Sequence, residues 1–544
     1  MSPNDMSYPS APSIKALGKR RAHLDDDALS HPARRGQAGS SRTSSLYEGS
    51  WKYHHPWLKH TSCVNALSCS NGSGQWLASA GDDSVVMLWN TFGDISNELP
   101  KAKYRGPKRN ILSVTFTCDN EKLLSTGADT LVYLYDVEKE TLLSPERWYK
   151  SDTAIDLWAA HDDSVNSVQA HPHNPSLFMT AAYDGIIATY DTRAEIGVVA
   201  TLAERAGFND IKYHPNMPEL FVTADEKGRV TLQDARVAFE DKTRVDQTAL
   251  ERAVRIFDTK RYRTSSTRKQ TPAASSITFS RDGSVFCTTF SESTPALYET
   301  SSIEPLACFY TAHEADGHGY RNTTTTKHSS FSGGAGNDLF LAAGSDDFNA
   351  YIWKVPSVQL LKDRRQSRPA RLSGSPVVVE AGSECFPSSA DPTQCTEPYS
   401  VTVPTAVLSA HRSIVNTALF HPTLPLVFTC GIEKMVQVHS STPFSPRSKD
   451  LHAIPRFVPR KPKPGNPLLL WLGESEAEDD EEEYMDAPNQ PNEVGVEKEC
   501  RESRKVLEHF DLLLAPSFPD SSSVDFTESD EESGNERHSS EGAR

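Results

Sequence analysis

Histidine and acidic residues recur along this chain in arrangements that could suit hydrolytic or metal chemistry. His161, Asp184, Asp347 and His411 are the clearest cases. They return at equivalent places of successive similar segments, and no nucleophile elbow, phosphate-binding loop, dinucleotide fingerprint or H-E-x-x-H helix accompanies them. Repetition of this kind favours structural hydrogen bonding. We therefore expect a protein that is not an enzyme, with no catalytic residue, no metal and no cofactor.

Two short motifs offer a different chemistry, that of binding a partner. They read YDTR at 190–193 and QDAR at 233–236, and each places an arginine two residues after an aspartate at the end of an alternating segment. A guanidinium held there can form forked bonds with a carboxylate or carbonyls of another protein. The same Asp-x-Arg pattern is also frequent as an internal pair that stabilises a turn. From the residues alone both interpretations stay open.

The segments that carry these residues form a repeat. Its marker is an acidic turn residue followed six positions later by an aromatic residue at the end of an alternating strand. The clear copies are Asp83 with Trp89, Asp129 with Tyr135, Asp184 with Tyr190, and Asp347 with Trp353. Weaker copies are Glu292 with Tyr298 and Glu433 with His439, while the fourth unit has Lys227 and Gln233. A second strand precedes several of these turns, so seven units of at least three strands predict an all-β, seven-bladed β-propeller.

The repeat extends over residues 46–442, and its spacing indicates where the chain departs from it. We expect loop insertions near 237–270 and 357–404, where the sequence is rich in Ser, Thr, Arg or Pro. The last unit ends near Ser440 after its third strand, so its outer strand is expected from residues near Leu46 to Tyr53. Glycines beside the turns, at 81, 127, 344 and 431, are expected to supply a positive φ.

The two ends of the chain have a different composition from the repeats. Residues 1–45 are predicted to be a disordered basic arm, residues 443–496 a Pro-rich and then acidic linker, residues 497–515 a short amphipathic helix and residues 516–544 a disordered acidic tail. The arm contains a candidate nuclear-import signal, formed by Lys19, Arg20, Arg21, Arg34 and Arg35. These features predict a protein of the nucleus, the cytoplasm or both.

Charge and cysteine usage exclude several classes of function. The stretch 471–544 holds 23 acidic and 6 basic residues, which accounts for the whole net charge of -17 and leaves the repeat region neutral. A neutral body disfavours a nucleic-acid partner. The nine cysteines form no C-x-x-C pair, as expected of reduced thiols without a metal. No stretch approaches the roughly 20 apolar residues of a membrane helix, so no membrane partner is expected.

Three longer runs resemble a known family. LKHTSCVNALSCSNGSGQWLASAGDDSVVMLWN, GSDDFNAYIW, and LSAHRSIVNTALFHP followed by GIEK look like the WD-repeat (WD40) substrate receptors of the cullin-4 and damaged-DNA-binding-protein-1 ubiquitin ligase. The resemblance covers roughly residues 46–442. It implies a receptor without catalysis of its own, which brings an unknown protein substrate to the ligase by proximity.

The resemblance also gives the Asp-x-Arg motifs a role. Paired motifs of this kind in adjacent blades contact the ligase adaptor in that family, which implies adaptor binding by Asp191, Arg193, Asp234 and Arg236. The residue before each motif is usually Trp, whereas this chain has Tyr190 and Gln233. The alternative is a WD40 scaffold that binds a histone or signalling partner without any ligase.

Overall fold

A computed structural model describes residues 47–48, 51–95, 99–143, 161–194, 197–239, 249–263, 271–311, 319–332, 339–369, 384–387 and 394–444. The predictions made for residues 1–45, 445–496, 497–515 and 516–544, including the import signal, lie outside these residues. Among the described residues no helix has the length and apolar character needed to cross a membrane.

The described part of the chain contains 33 short strands and three short helices. The first sixteen strands are β1 (Tyr53–Trp57), β2 (Val64–Cys69), β3 (Trp76–Gly81), β4 (Val85–Asn90), β5 (Ala102–Arg105), β6 (Ile111–Phe116), β7 (Lys122–Gly127), β8 (Val132–Asp136), β9 (Thr141–Leu142), β10 (Val165–Ala170), β11 (Leu177–Ala182), β12 (Ile186–Asp191), β13 (Val198–Ala203), β14 (Phe208–Tyr213), β15 (Leu220–Asp225) and β16 (Val230–Asp234). The others are β17 (Arg255–Ile256), β18 (Tyr262–Arg263), β19 (Ala274–Phe279), β20 (Val285–Phe290), β21 (Ala296–Glu299), β22 (Pro305–Phe309), β23 (Ser329–Phe331), β24 (Leu339–Gly344), β25 (Ala350–Val355), β26 (Gln366–Pro369), β27 (Glu384–Pro387), β28 (Gln394–Glu397), β29 (Tyr399–Val401), β30 (Ala406–Leu408), β31 (Val415–Phe420), β32 (Leu426–Gly431) and β33 (Val436–Ser440). The helices are α1 (Ala235–Ala238), α2 (Ala249–Arg252) and α3 (Val358–Arg364).

These strands form seven blades, so the predicted seven-bladed β-propeller is confirmed. In order the blades are β2–β5, β6–β9, β10–β13, β14–β17, β19–β22, then β23, β24, β25 and β30, and last β31, β32, β33 and β1. Strand β29 adds to the fifth blade, parallel to β22. The first strand of each blade borders the axis of the ring, because the first strands of neighbouring blades contact one another.

The four strands of each blade, called a, b, c and d in the order given above, are antiparallel, which gives the ring two distinct faces. The turns between b and c, which carry the acidic repeat residues, lie on one face, called here the bc face. The turns between a and b and between c and d lie on the opposite face, called here the cd face. A side chain that follows strand c therefore points to a surface that the acidic turns do not share.

The acidic turn residues act within their blades. In the first blade the His60 ring donates through Nδ1 to Asp83 Oδ2 at 2.8 Å, and its Nε2 accepts from Ser79 Oγ at 2.7 Å. Trp89 Nε1 donates to the same Ser79 oxygen at 2.8 Å. This Ser–His–Asp arrangement has the composition of a catalytic triad, but Ser79 is fully buried and already bonded on both sides. This chain of hydrogen bonds links Trp89 in strand c to Asp83 in the turn before that strand.

The same connection recurs in other blades with substitutions. His161 contacts Asp184 at 3.1 Å and Thr180 Oγ1 at 2.6 Å in the third blade, and burial lowers the pKa of His161, so its ring is neutral. In the seventh blade His411 pairs with Glu433 and accepts from Thr429 Oγ1 at 2.7 Å. The histidines that invited a hydrolytic interpretation are buried partners of the repeat turns.

The expectation of a positive φ at the turn glycines was wrong for 81, 127, 344 and 431, none of which has one. A Cβ at Gly81 would lie 1.9 Å from the carbonyl oxygen of Cys63, and one at Gly127 would lie 2.0 Å from the carbonyl oxygen of Asn110. Glycine is needed there because the end of strand b passes very close to the backbone that leads into strand a. The left-handed positions lie further along the turns, for example at Ser84 and Thr130.

The closing strand also differs from its expected position. The N-terminal part of the chain does supply the outer strand of the seventh blade, but that strand is β1 at Tyr53–Trp57 and not the segment 46–53. Tyr47 is instead a buried apolar plug, whose ring stacks on Phe340 at 5.3 Å and meets Phe420 edge-on at 5.6 Å. The alternating pattern is weak in YHHPW, and its partner β33 is remote in sequence, so spacing alone did not locate it.

The two insertions are not simply loops. Strands β18, β27, β28 and β26 pair into a small accessory sheet, which joins the insertion near 237–270 to that near 357–404. Arg261, 1% exposed, is held between the rings of Phe290 in the fifth blade and Phe386 in the accessory sheet, at 4.4 and 4.7 Å from their centroids. This cation–π sandwich fastens the sheet to the ring. The prediction that these segments are exposed loops was wrong to that extent.

Candidate site on the cd face

The site that the sequence singled out is built on the ends of two strands. Asp191 is the last residue of β12 and Asp234 the last residue of β16, in the third and fourth blades. Asp191 pairs with Leu177 and Asp234 with Leu220, so the two aspartates occupy the same register position in their blades. The structure thus places both motifs on the cd face of adjacent blades.

The backbone after each aspartate turns in the same way. The N–H of Thr192 donates to the carbonyl of Ser176 at 2.9 Å, and the N–H of Ala235 donates to that of Glu219 at 2.7 Å. Each aspartate Oδ1 then accepts the backbone N–H two residues on, at 2.9 Å from Arg193 and 3.0 Å from Arg236. Aspartate suits this position because its short carboxylate can bond to the chain two residues ahead.

Each arginine folds back onto its own aspartate in a two-bond fork. Arg193 donates from Nε and Nη2 to the oxygens of Asp191 at 3.0 and 2.8 Å. Arg236 donates in the same way to Asp234 at 3.0 and 2.6 Å. These bonds from arginine lower the pKa of both aspartates, so both forks are ionised pairs. The internal Asp–Arg pair, which is one of the two interpretations that the sequence left open, is present in both blades.

The forks set the orientation of the two arginine side chains but leave them exposed to solvent. The side chains of Arg193 and Arg236 are 66% and 72% exposed, whereas those of the aspartates are 18% and 13% exposed. Nη1 of each guanidinium is not used by the fork, so it can still donate to an acceptor of another molecule. An arginine whose orientation is already set loses less side-chain entropy when it binds. The internal pair and a partner contact are therefore compatible.

The remaining five blades lack this device. The residues at the register position of Asp191 are Asn90, Asp136, Glu299, Lys354 and Ser440, and those two places later are Phe92, Glu138, Ser301, Pro356 and Thr442. Arginine therefore occupies this place only in two neighbouring blades of the seven. A pair confined to one sector of the face gives the ring a defined orientation toward anything it binds there.

Apolar side chains beside the fourth-blade motif were not predicted from the sequence. Met217, in the turn before β15, is 43% exposed, and Val237, in α1, is 48% exposed. Both lie on the cd face, and the bond from Ala235 to Glu219 brings their two turns together. An exposed apolar pair beside an oriented arginine is the composition typical of the centre of a protein interface. Such residues carry no repeat signal, so only the fold reveals them.

The comparisons with known proteins agree with this architecture. The WD domain, G-beta repeat family matches residues 51–90, 99–136, 153–191 and 402–440. DDB1- and CUL4-associated factor 5 of mouse is 31% identical over 391 residues, which are 71% of this chain and 34% of that protein, and the human protein is 30% identical over the same shares. WD and tetratricopeptide repeats protein 1 of mouse is 31% identical over 137 residues, 25% of this chain and 18% of that protein.

The chain thus spans about a third of the length of the factor 5 proteins that it matches. The match covers 71% of this chain, so the similarity extends over several blades and is not limited to one repeat. The resemblance stated from the three sequence runs is confirmed. The chain is a WD-repeat β-propeller protein, similar to DDB1- and CUL4-associated factor 5.

Proposed function

We propose that this chain is a substrate receptor of a cullin-4 RING ubiquitin ligase and that it binds the adaptor, damaged-DNA-binding protein 1, through Arg193 and Arg236. The observation that carries the proposal is the repetition of one forked geometry, at one register position, in two adjacent blades. The names of the factor 5 relatives state an association with DDB1 and CUL4, and this supports the choice of partner. Met217 and Val237 would add apolar contact beside the second arginine.

In this role the propeller contributes position and performs no bond chemistry. The cd face would fix the ring on the adaptor, and the opposite face would remain free for a substrate. Ubiquitin transfer would then depend on the effective concentration of a substrate lysine near the ubiquitin-loaded enzyme. The runner-up, a scaffold for a histone or signalling partner, would need no binding to the adaptor at all.

The double substitution Arg193→Ala with Arg236→Ala tests the proposal. Both side chains are exposed, so the thermal midpoint should change little. Affinity for purified adaptor, measured by titration calorimetry, should fall about tenfold or more, because arginine is enriched among the residues that dominate interfaces. Each single variant should lose part of this, since the two forks have the same geometry.

A matched control is the pair Arg105→Ala with Arg205→Ala, two exposed arginines that belong to no Asp-x-Arg motif. That protein should bind the adaptor like the wild type. Wild-type affinity in the folded Arg193/Arg236 variant would refute the paired contact. A wild-type chain that does not bind the adaptor would leave the scaffold interpretation in its place.

A further inference from the structure

A cavity of about 460 Å³ opens on the bc face around the axis of the ring. Six of the seven blades contribute to its wall, and the residues that line it come from the starts of the a strands and from the b–c turns. It therefore lies on the opposite side of the propeller from Arg193 and Arg236. Its volume is in the range of pockets that hold one side chain with part of its backbone.

Asparagine amides form part of the wall, and a backbone irregularity places four of them there. In the a strands the pairing register shifts after the first residue, which leaves Asn65, Asn166, Asn209 and Asn416 as unpaired bulge residues at the axis. The amide nitrogens of Asn166 and Asn209 donate to carbonyls of the next blade, each at 2.8 Å. The amide oxygens add acceptors to the wall. Asn166 Oδ1 already accepts from Ser164 Oγ at 3.4 Å and Asn416 Oδ1 from Thr325 Oγ1 at 2.6 Å, and each of these oxygens has a second lone pair for a ligand.

Asp82 is the carboxylate in this wall, and no lysine or arginine of the described ranges lines the cavity. Its neighbour Asp83 is fully engaged by His60 and by the N–H of Thr61 and Val85. Asp82 differs: its side-chain partners in the part of the chain described are the Asn65 amide, at 2.6 Å, and the Cys63 thiol. Burial raises the pKa of Asp82, which is the behaviour of a carboxylate without a counter-ion.

An apolar surface adjoins this carboxylate. Cys63 and Ile432 line the cavity and belong to a buried cluster with Phe348 and Ile414. The combination of an apolar strip that ends at a carboxylate, with acceptor oxygens around it, matches a side chain that has methylenes and a cationic head. Lysine and arginine are the two side chains with that form. An acidic or purely apolar side chain would bring Asp82 no counter-ion.

We propose that this cavity receives a lysine or arginine side chain of a partner protein, with Asp82 as its counter-ion and Cys63 and Ile432 against its methylenes. The inference rests on the proposed function only in naming that partner as the ligase substrate. Binding on the bc face requires neither the adaptor nor the Asp-x-Arg motifs. The cd face would then bind the adaptor, and the bc face would bind a basic segment of the substrate.

The test uses the full chain and four pools of short peptides with uncharged mixed flanks and a fixed central lysine, arginine, norleucine or glutamate. Retention of the lysine or arginine pool should exceed that of the norleucine pool about tenfold, and glutamate should be retained least. Asp82→Asn keeps the shape of the side chain and should reduce the cationic pools to the norleucine level. Asn110→Lys, which adds a cation from an exposed position of the wall, should do the same.

Glu138→Gln is the control, because Glu138 is an exposed carboxylate on the cd face. It should retain every pool like the wild type, and Asp82→Asn should keep wild-type adaptor affinity and thermal midpoint. Equal retention of all four pools by the wild type, or an unchanged cation preference in folded Asp82→Asn and Asn110→Lys proteins, would overturn the inference. Peptide retention by a chain that does not bind the adaptor would refute the proposed function and leave this site standing.

Discussion

Replacement of Asp346 by alanine is expected to destabilise the ring by about 3–5 kcal/mol, because it leaves a buried ammonium without its counter-ion. Lys327 is fully buried and pairs with Asp346 at 2.6 Å. Burial lowers the pKa of Lys327, and the carboxylate is what opposes that shift. Asp346 also accepts from the backbone of Thr323 and Thr324, which shapes the segment before β23.

The double variant Asp346→Asn with Lys327→Met should recover most of the lost stability. The amide keeps an acceptor for the backbone of Thr323 and Thr324, and no charge is left buried, so the remaining cost should be small. Urea denaturation of the wild type, the Asp346→Ala protein and the double variant measures their free energies of unfolding. A single Asp346→Ala protein with the midpoint of the wild type would show that the ion pair does not hold the sixth blade.

The second large effect concerns the closure of the ring. All five residues of β1 pair with β33, and Trp57 stacks on Trp89 of the first blade at 4.8 Å while its Nε1 donates to the carbonyl of Ile95 at 2.9 Å. A chain that begins at residue 58 should expose the edge of β33 and self-associate. Trp57→Ala alone should cost about 3–5 kcal/mol.

A chain that begins at residue 46 is the control, because it keeps Tyr47 and β1 and should remain monomeric with the thermal midpoint of the full protein. Light scattering after gel filtration and thermal unfolding compare the two truncations. If the chain that begins at residue 58 is monomeric and melts like its control, β1 does not close the ring.

The blade count could be predicted because its signal is local. Asp83 and Trp89 lie in one turn and one strand, and the same six-residue relation recurs clearly or in weaker form in six blades, while the fourth has Lys227 and Gln233. The accessory sheet could not be predicted, because QSRP, ECFP and QCTE pair across long gaps in the sequence and Phe386 contacts Arg261 of a distant insertion. Register and close approach between remote strands, as at Gly81, leave no periodic trace.

The candidate sites also differ in whether their residues are close together in the sequence. Arg193 and Arg236 could be found by their spacing, since each motif is contiguous, although the choice between an internal fork and a partner contact needed the geometry. Met217 could not be assigned, because the turn between β14 and β15 that carries it is brought to the fourth-blade motif only by the fold, through the bond from Ala235 to Glu219. The cavity at Asp82 was beyond sequence reasoning, since six blades far apart in the chain form it.

Hydrogen exchange of the full chain, with and without purified adaptor, tests whether the cd face of the third and fourth blades docks on the ligase adaptor. Backbone amides of the turns that follow Asp191 and Asp234 should exchange more slowly in the complex, whereas those of the bc turns near Asp82 should not change. A complex in which protection falls on the bc face, or no protection at saturating adaptor, would contradict docking through Arg193 and Arg236.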